Sequence, residues 1–531
     1  MKNKIRNLFV VLTIATSVII WVIFYFTAPE LMVYPLIIGS LAAYLVYEYA
    51  FYKVDDIPEN FFLFNRKMPE RYFVWSFVST NIGLFSSIAF SVILSFYFGI
   101  AGMFWTTFAW FVGMWWFSKA IPKLLPFFKT GNTLHEFIAV KYGNTFEEKK
   151  RLRVITSTIT SVLYWASLGV EIKFASMILS PSLGVTSSTI LAMAIALTAF
   201  GYCYMVGYRG AVITDKFQFW AMAIGSIVIL GFLVELCLTK PFEISSDYFS
   251  LRSILIGPDW FSLLALVLVL VPYQYCIMDM WQRCIAISKM NDTAGIPMTD
   301  ETLVKEMQKL TYSKAIIPFL YLFVVWFLIG IVALGTKMTD DPSLILQEFL
   351  KIADTYGNWG FAVKSVIVLV FISAAISTVS TFLMAIVQTF MYDIYATWIV
   401  PDLADRVNQL EIEKQYRFVN ISRFFVALIG ASGIAVAYFA FDLVNFWVSM
   451  YSVMLSMLPA VYLQVSKRLS SIQTKPSYQR VFWGIVVGST SALVLGILGT
   501  FTPLKEYSLA NYCPIASIVL SFAITFTGGE K

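Results

Sequence analysis

Charge is scarce in this sequence: 13% of its 531 residues are Asp, Glu, Lys or Arg, while 59% are hydrophobic and the mean hydropathy is +0.75. No ordinary soluble domain of this size has such a balance, so the chain reads as an integral membrane protein in contact with the lipid bilayer. Histidine occurs once, at His135, so any histidine chemistry would rest on that residue alone. The five cysteines, Cys203, Cys237, Cys276, Cys284 and Cys513, lie in or near apolar segments without C-x-x-C spacing. They indicate neither a disulfide framework nor a metal centre. A clustered acid, base and nucleophile is also missing, which argues against an enzyme. The formal charge of +6 comes without a basic tail or nucleic-acid-binding motif, so it is assigned to loops beside a membrane and not to nucleic acid. No long linker or low-complexity segment separates one part from another, and a single transmembrane domain without an attached module is expected.

What the sequence does have is long apolar runs. Fourteen stretches of about 20 residues are bounded by charges or Pro/Gly clusters, near 7–27, 31–52, 72–97, 100–122, 153–180, 187–206, 210–236, 258–282, 311–336, 359–391, 418–440, 442–465, 481–501 and 508–528. The first has a basic start and no small-residue cleavage site after it, and reads as a retained helix. Threading all fourteen from a cytoplasmic N-terminus puts 31 of the 38 Lys and Arg residues inside. Five lie outside (Lys240, Arg252, Lys337, Lys351 and Lys505), and Lys173 and Lys364 fall within or at the edge of spans. Adding or losing one helix would scramble this split, so helix count and orientation support each other, with both termini cytoplasmic.

One span is unusually rich in oxygen. "FISAAISTVSTFLMAIVQTF", Phe371 to Phe390, carries Ser373, Ser377, Thr378, Ser380, Thr381, Gln388 and Thr389. At about 100° per residue Ala374, Ser377, Thr378 and Thr381 share one facet, flanked by Ser373 and Ser380. Any one of these hydroxyls commonly bonds back to a carbonyl one turn earlier or eases helix packing. Together, with no carboxylate, His or Cys beside them, they suit a small hard cation that accepts neutral oxygen ligands. The further oxygens such a site needs would come from a broken helix. "RYFVWSFVSTNIGLFSSIAFSVIL", Arg71 to Leu94, is one candidate, interrupted by Ser79, Thr80, Asn81, Gly83, Ser86 and Ser87. "VLVLVPYQYCIMDMWQRC" is a second, with Pro272 followed by Tyr273, Gln274 and Asp279, where a plain proline kink is the alternative. Asp215 in "GYRGAVITDKFQFWAM" reads either as an interfacial ion pair with Lys216 or as a cation ligand or relay. Glu171 and Lys173 lie two apart, do not face each other on a helix, and read first as structural.

These stretches, with "TGNTLHEFIAVKYGN", "YRGAVITDKFQ", "MWQRCIAISK" and "AAISTVSTFLMAIVQTFMYDIY", resemble in order and spacing the sodium:solute symporter family, from about Phe61 to Arg468. That family includes the sodium/glucose cotransporters and the sodium/proline, pantothenate and sialic acid symporters. The resemblance implies an all-α leucine-transporter-like fold of about 14 transmembrane helices with two inverted five-helix repeats, here 72–238 and 239–468. Two peripheral helices in 1–71 and two more in 469–531 would flank them. It implies a sodium site formed by the carbonyls of Ser79, Ile82 and Ala374 with the hydroxyls of Ser377 and Thr378, the facet found above. A second sodium would use Asp215, Ser377, Ser380 and Thr381, and solute would meet Asn81, Ser86, Tyr273 and Asn445. Ile277, Met278 and the single Pro459 depart from the sugar-transporting members and weigh against sugar.

The function implied is a sodium-coupled symporter importing a small polar or anionic solute by alternating access. It would work as a monomer in the plasma (inner) membrane, with Na+ as its co-substrate. A proton-coupled carrier on the same fold, or a transporter-like solute sensor, are the alternatives.

Overall fold

A computed structural model describes residues 2–49, 56–184, 188–256, 259–292, 294–403, 407–437, 443–466, 476–501 and 509–526. Its regular elements are helices, joined by one isolated bridge between Asn291 and Pro297. Lipid offers no partner for a backbone N–H or C=O, and a helix satisfies both within one segment. Twelve described helices are long and apolar enough to cross a membrane.

Two places account for the difference from fourteen apolar runs. The first is the segment Leu84–Ser118, which breaks at Gly99 (φ 55°, ψ −136°). A Cβ on Gly102 would stand 2.9 Å from the carbonyl oxygen of Leu94, eight residues back and roughly 12 Å away along a straight helix. The segment therefore doubles back, supplying the second half of the run expected near 72–97, whose first half is the separate helix Glu70–Asn81, and the run near 100–122. At the second place, the run near 258–282 is divided into pieces each too short to span.

We label the elements that build the site α1 (Lys2–Thr27), α2 (Val33–Tyr49), α3 (Glu70–Asn81), α4 (Phe90–Ser118), α5 (Phe146–Ser182), α6 (Tyr208–Thr239), α7 (Trp260–Leu270), α8 (Tyr273–Cys276), α9 (Met278–Ala286), α10 (Gly357–Thr389) and α11 (Leu443–Met454). The oxygen-rich helix α10 is the central post. Its span is 89% buried, against 6% for that of α1. Small residues at Ala374, Ala375 and Ser377 let α3, α5 and α6 approach it closely. Meanwhile α1 lies at the periphery, packed along α2, and reaches the post through the Trp21 indole, which donates to Ser365 Oγ at 2.8 Å.

Three stretches far apart in sequence meet at one end of the bundle. Arg66 donates to the carbonyls of Phe128 (2.7 Å) and Gly131 (2.8 Å) and to Asn132 Oδ1 (3.1 Å). Thr133 caps the short helix Leu134–Tyr142 and donates to Asp393 Oδ1 at 2.8 Å, and Arg153 pairs with Glu136 at 3.3 Å. The loop before α3, the loop after α4 and the continuation of α10 are thereby tied into one polar layer.

Candidate functional site

The site begins where α3 stops. The helix ends at Asn81 because Ile82 leaves helical geometry (φ −98°, ψ 63°), and Gly83 is extended (φ −72°, ψ 154°) before a π turn, Leu84–Ala89, restarts the chain. A helix end leaves its last carbonyls without partners one turn on, and they carry the negative end of the dipole. The facing hydroxyls come from α10. Thr378 Oγ1 donates to the carbonyl of Thr80 at 2.9 Å, and the Thr80 and Thr381 hydroxyls are 2.9 Å apart. Ser377 donates to Asp215 Oδ1 at 2.5 Å, Ser79 to the Asp215 carbonyl at 3.0 Å, and Ser380 back to the Ser377 carbonyl at 2.9 Å. Ser79, Asp215, Ser377, Thr378, Ser380 and Thr381 are all fully buried. The end of one half-helix, the hydroxyl facet and a carboxylate thus converge on one spot.

Asp215 is the charged member. Sequence offered Lys216 as its partner, but consecutive residues on a helix point apart. The Lys216 ammonium lies 5.5 Å from the Trp75 ring and 5.6 Å from the Phe217 ring. The interfacial ion pair is therefore replaced by a buried carboxylate. Among the described residues its Oδ2 accepts no hydrogen bond, and Ser76, Arg283 and Tyr208 are polar groups around the carboxylate. Arg283 is already committed. It donates from Nη1 to Asp279 Oδ2 at 2.6 Å and from Nε to Ser76 Oγ at 3.3 Å. A buried carboxylate without a paired cation is costly, and a small cation among these oxygens would offset that cost.

The second break is real as well. After α7, residues Val271 and Pro272 form a turn, α8 lasts four residues, and Ile277 is extended (ψ 130°) before α9. The α4 helix fits against this opening, with Gly113 so close that a Cβ there would stand 2.7 Å from the Val271 carbonyl. The Asp279–Arg283 pair on α9 receives the Tyr164 hydroxyl at 2.5 Å and reaches α3 through Ser76, which joins both broken helices.

The expected solute residues are dispersed. Asn81 is buried, but its Nδ2 donates to the Phe77 carbonyl of its own helix at 2.8 Å. Tyr273 packs edge-on against Trp110 (5.4 Å between centroids) and at a tilt against Tyr451 (5.1 Å). Ser86 lines a small central cavity with Phe85, Glu171, Phe382 and Tyr451. Asn445 falls on α11, and its side chain lies outside the described residues. Ile82 and Ala374 lie beside the site, both fully buried.

Sequence reasoning missed two things. One is Ser76 with the Asp279–Arg283 pair, whose i, i+4 spacing was the available signal. The other is the partner of Glu171, a residue that sequence reads as structural. Its carboxylate accepts the backbone N–H of Phe85 at 3.0 Å and of Ser86 at 2.8 Å, capping the second half of the broken helix. No local pattern couples residues that are 85 positions apart.

Neither a protein-family model nor a curated protein sequence matches the chain. Solved structures do. A Na+-coupled sialic acid symporter in a substrate-bound outward-open state is 16% identical with a TM-score of 0.67, covering 93% of this chain and 96% of that one. The manganese transporter of Eremococcus coleocola, as a mutant, is 12% identical with a TM-score of 0.51, covering 86% and 96%. Mhp1, a nucleobase-cation-symport-1 family transporter in a closed conformation with bromovinylhydantoin bound, is 10% identical with a TM-score of 0.51, covering 88% and 94%. At these identities the likeness is one of fold, and the chain has the leucine-transporter-like architecture of these transporters.

Proposed function

We propose that the protein is a sodium-coupled secondary active symporter that imports a small solute by alternating access. The observation that carries this reading is Asp215: a fully buried carboxylate with an unpartnered oxygen, set between the hydroxyls of α10 and the open carbonyl end of α3. The structural neighbour that is a Na+-coupled symporter supports it. One sodium ion would bind the carbonyls of Ser79, Ile82 and Ala374 with the Ser377 and Thr378 hydroxyls, and a second would bind Asp215 with Ser377, Ser380 and Thr381. The hydroxyls that now donate to Thr80 and Asp215 would turn their lone pairs to the ion.

Sodium can drive a cycle only through its different affinity for two states. An ion joining the end of α3 to α10 holds together two elements that alternating access must separate, which supplies that difference. Each positive charge carried inward gains about 2.3 kcal/mol per 100 mV of inside-negative potential. The repeats are assigned to 72–238 and 239–468, the transport unit to a monomer, and the location to the plasma (inner) membrane with both termini cytoplasmic.

The unpartnered Asp215 oxygen favours one further reading, a carrier in which Asp215 takes a proton in place of sodium. Uptake by proteoliposomes over a broad solute panel separates the two. Accumulation that follows a sodium gradient supports the symporter. Sodium-independent accumulation driven by a pH gradient selects the proton carrier, and solute binding without flux under either gradient points to a sensor.

A further inference from the structure

Three buried charges gather at the cation site, and their signs do not balance. Asp215 and Asp279 are carboxylates, Arg283 is the guanidinium beside them, and all three are buried. Lys216 has turned away to Trp75 and Phe217. Two negative charges and one positive leave one negative charge over, in an interior where an uncompensated charge is costly.

Arg283 is placed to serve either carboxylate. It donates from Nη1 to Asp279 Oδ2 at 2.6 Å, from Nε to Ser76 Oγ at 3.3 Å and from Nη2 to the Ser76 carbonyl at 3.4 Å. The Ser76 hydroxyl also faces Asp215, and the Tyr208 hydroxyl lies beside Ser76 among all three charges. One serine on α3 therefore stands between the guanidinium and a carboxylate whose Oδ2 accepts no hydrogen bond among the described residues. A guanidinium carries five N–H donors in a rigid fork, so it can hold Ser76 and a carboxylate at once, whichever of the two carboxylates that is.

Asp279 is the better prepared of the two to keep it. The pair is one helical turn apart on α9, and Asp279 Oδ1 accepts the Tyr164 hydroxyl at 2.5 Å. This fixed acceptor holds the positive charge on the side of the second broken helix. A cation that enters at Asp215 meets the Arg283 charge across Ser76, and like charges repel strongly in a low-dielectric interior. Sodium at Asp215 therefore needs Arg283 to stay with Asp279.

We propose that Arg283 is a tethered competitor of sodium: Asp215 and Asp279 share its charge through Ser76, and sodium occupies Asp215 only while Asp279 holds the guanidinium away. The proposal rests on the sodium reading above and deepens it, because it names what sets the affinity of the second ion. It also gives the ion a route to the other break. Filling Asp215 favours Arg283 on Asp279, and so favours the ordered start of α9 that follows Ile277.

Two measurements on the purified full chain in detergent test it. The first needs no sodium: melting temperatures of wild type, Asp215→Asn, Asp279→Asn and the variant carrying both, in a sodium-free N-methylglucamine buffer. In wild type Arg283 has Asp279, so Asp215→Asn removes a surplus negative charge and should raise the melting temperature or leave it unchanged. In Asp279→Asn the guanidinium has only Asp215, so adding Asp215→Asn strips its last carboxylate and should lower the melting temperature by several degrees. An effect of Asp215→Asn that is the same in both backgrounds would overturn the proposal. So would an Asp279→Asn protein that does not fold, because Asp215 would then be no substitute partner. The second measurement is equilibrium binding of radiolabelled sodium. Asp279→Asn frees Arg283 and should raise the sodium dissociation constant at least tenfold, and adding Arg283→Gln, which removes the competitor, should bring it back to within about threefold of wild type. Binding unchanged by Asp279→Asn, or a loss that Arg283→Gln does not repair, would overturn the proposal. A wild type that binds no sodium overturns the ion reading and this proposal with it, whereas a wild type that binds sodium without these variant effects overturns the proposal alone.

Discussion

At the scale of the residue, the site depends on which buried charge has a partner. Asp279 has Arg283 at 2.6 Å, and Glu171 has two helix N–H groups. Among the described residues Asp215 has the Ser377 hydroxyl on one oxygen and no hydrogen bond on the other. If a second sodium fills that gap, uptake should rise sigmoidally with sodium, and Asp215→Asn should make the curve hyperbolic with at least a tenfold higher half-saturating concentration. A Hill coefficient near one in wild-type protein would rule the second ion out. The hydroxyl facet was legible in the sequence because helical periodicity alone aligns Ser377, Thr378 and Thr381. The depth of Asp215 was not. Its neighbour Lys216 suggested an interface, and only the packing of α3 and α10 against α6 shows that the carboxylate turns inward while the ammonium turns to Trp75 and Phe217.

At the scale of the element, two glycines set the geometry. Gly99 turns Leu84–Ser118 back on itself in a left-handed conformation that other residues adopt at a cost of about 1–3 kcal/mol. A Cβ there would also meet the Tyr248 carbonyl oxygen at 2.7 Å. Gly83 is crowded instead by side chains, with Ser86 Oγ 2.2 Å and Thr378 Oγ1 2.8 Å from the position of its Cβ. Gly99→Ala should therefore lower the melting temperature while leaving the sodium affinity of the surviving folded protein near wild type. Gly83→Ala should lower both stability and sodium affinity, because it displaces Thr378. Equal sodium affinity in the two variants, measured by sodium-dependent thermal shift, would contradict the placement of the site at the α3 break. Sequence placed this break well, since a cluster of small polar residues in an apolar run has few other uses. It left the second break open to a proline kink. The structure sets the interruption at both Pro272 and Ile277, and Ile277 carries no local signal of it.

At the scale of the whole molecule, the fold was legible because a membrane leaves the chain few choices. Apolar length, basic-residue asymmetry and motif order together led to the architecture that the neighbours share. The ambiguous count, fourteen runs against twelve long helices, arose where one helix doubles back and another is broken, features that hydropathy averages away. What no sequence pattern revealed was the long-range wiring: Glu171 to Phe85, Arg283 to Ser76, Thr133 to Asp393.

The polar layer at one end of the bundle carries its own consequence for stability. His135 is fully buried there, neither ring nitrogen is hydrogen-bonded among the described residues, and burial, reinforced by the Arg153 charge, lowers its pKa to about 3. The folded state then keeps the ring neutral while the unfolded chain takes up a proton near pH 6.5. The contribution is fully present above that pH and is lost as pH falls toward 3, at about 1.4 kcal/mol per unit. His135→Asn should flatten the decline in melting temperature between pH 6.5 and 4.5, and an unchanged slope would contradict the account.

The most direct measurement of the central claim is equilibrium binding of radiolabelled sodium to the purified protein, with Ser377→Ala and Thr378→Ala beside wild type. Each variant removes one hydroxyl ligand without adding bulk, and losing one such oxygen costs on the order of 1–2 kcal/mol, about a tenfold rise in dissociation constant. The account predicts saturable binding to wild type, weakened about tenfold by Thr378→Ala and at least as much by Ser377→Ala, which both proposed ions share. An absence of saturable sodium binding, or binding unchanged in both variants, would contradict it.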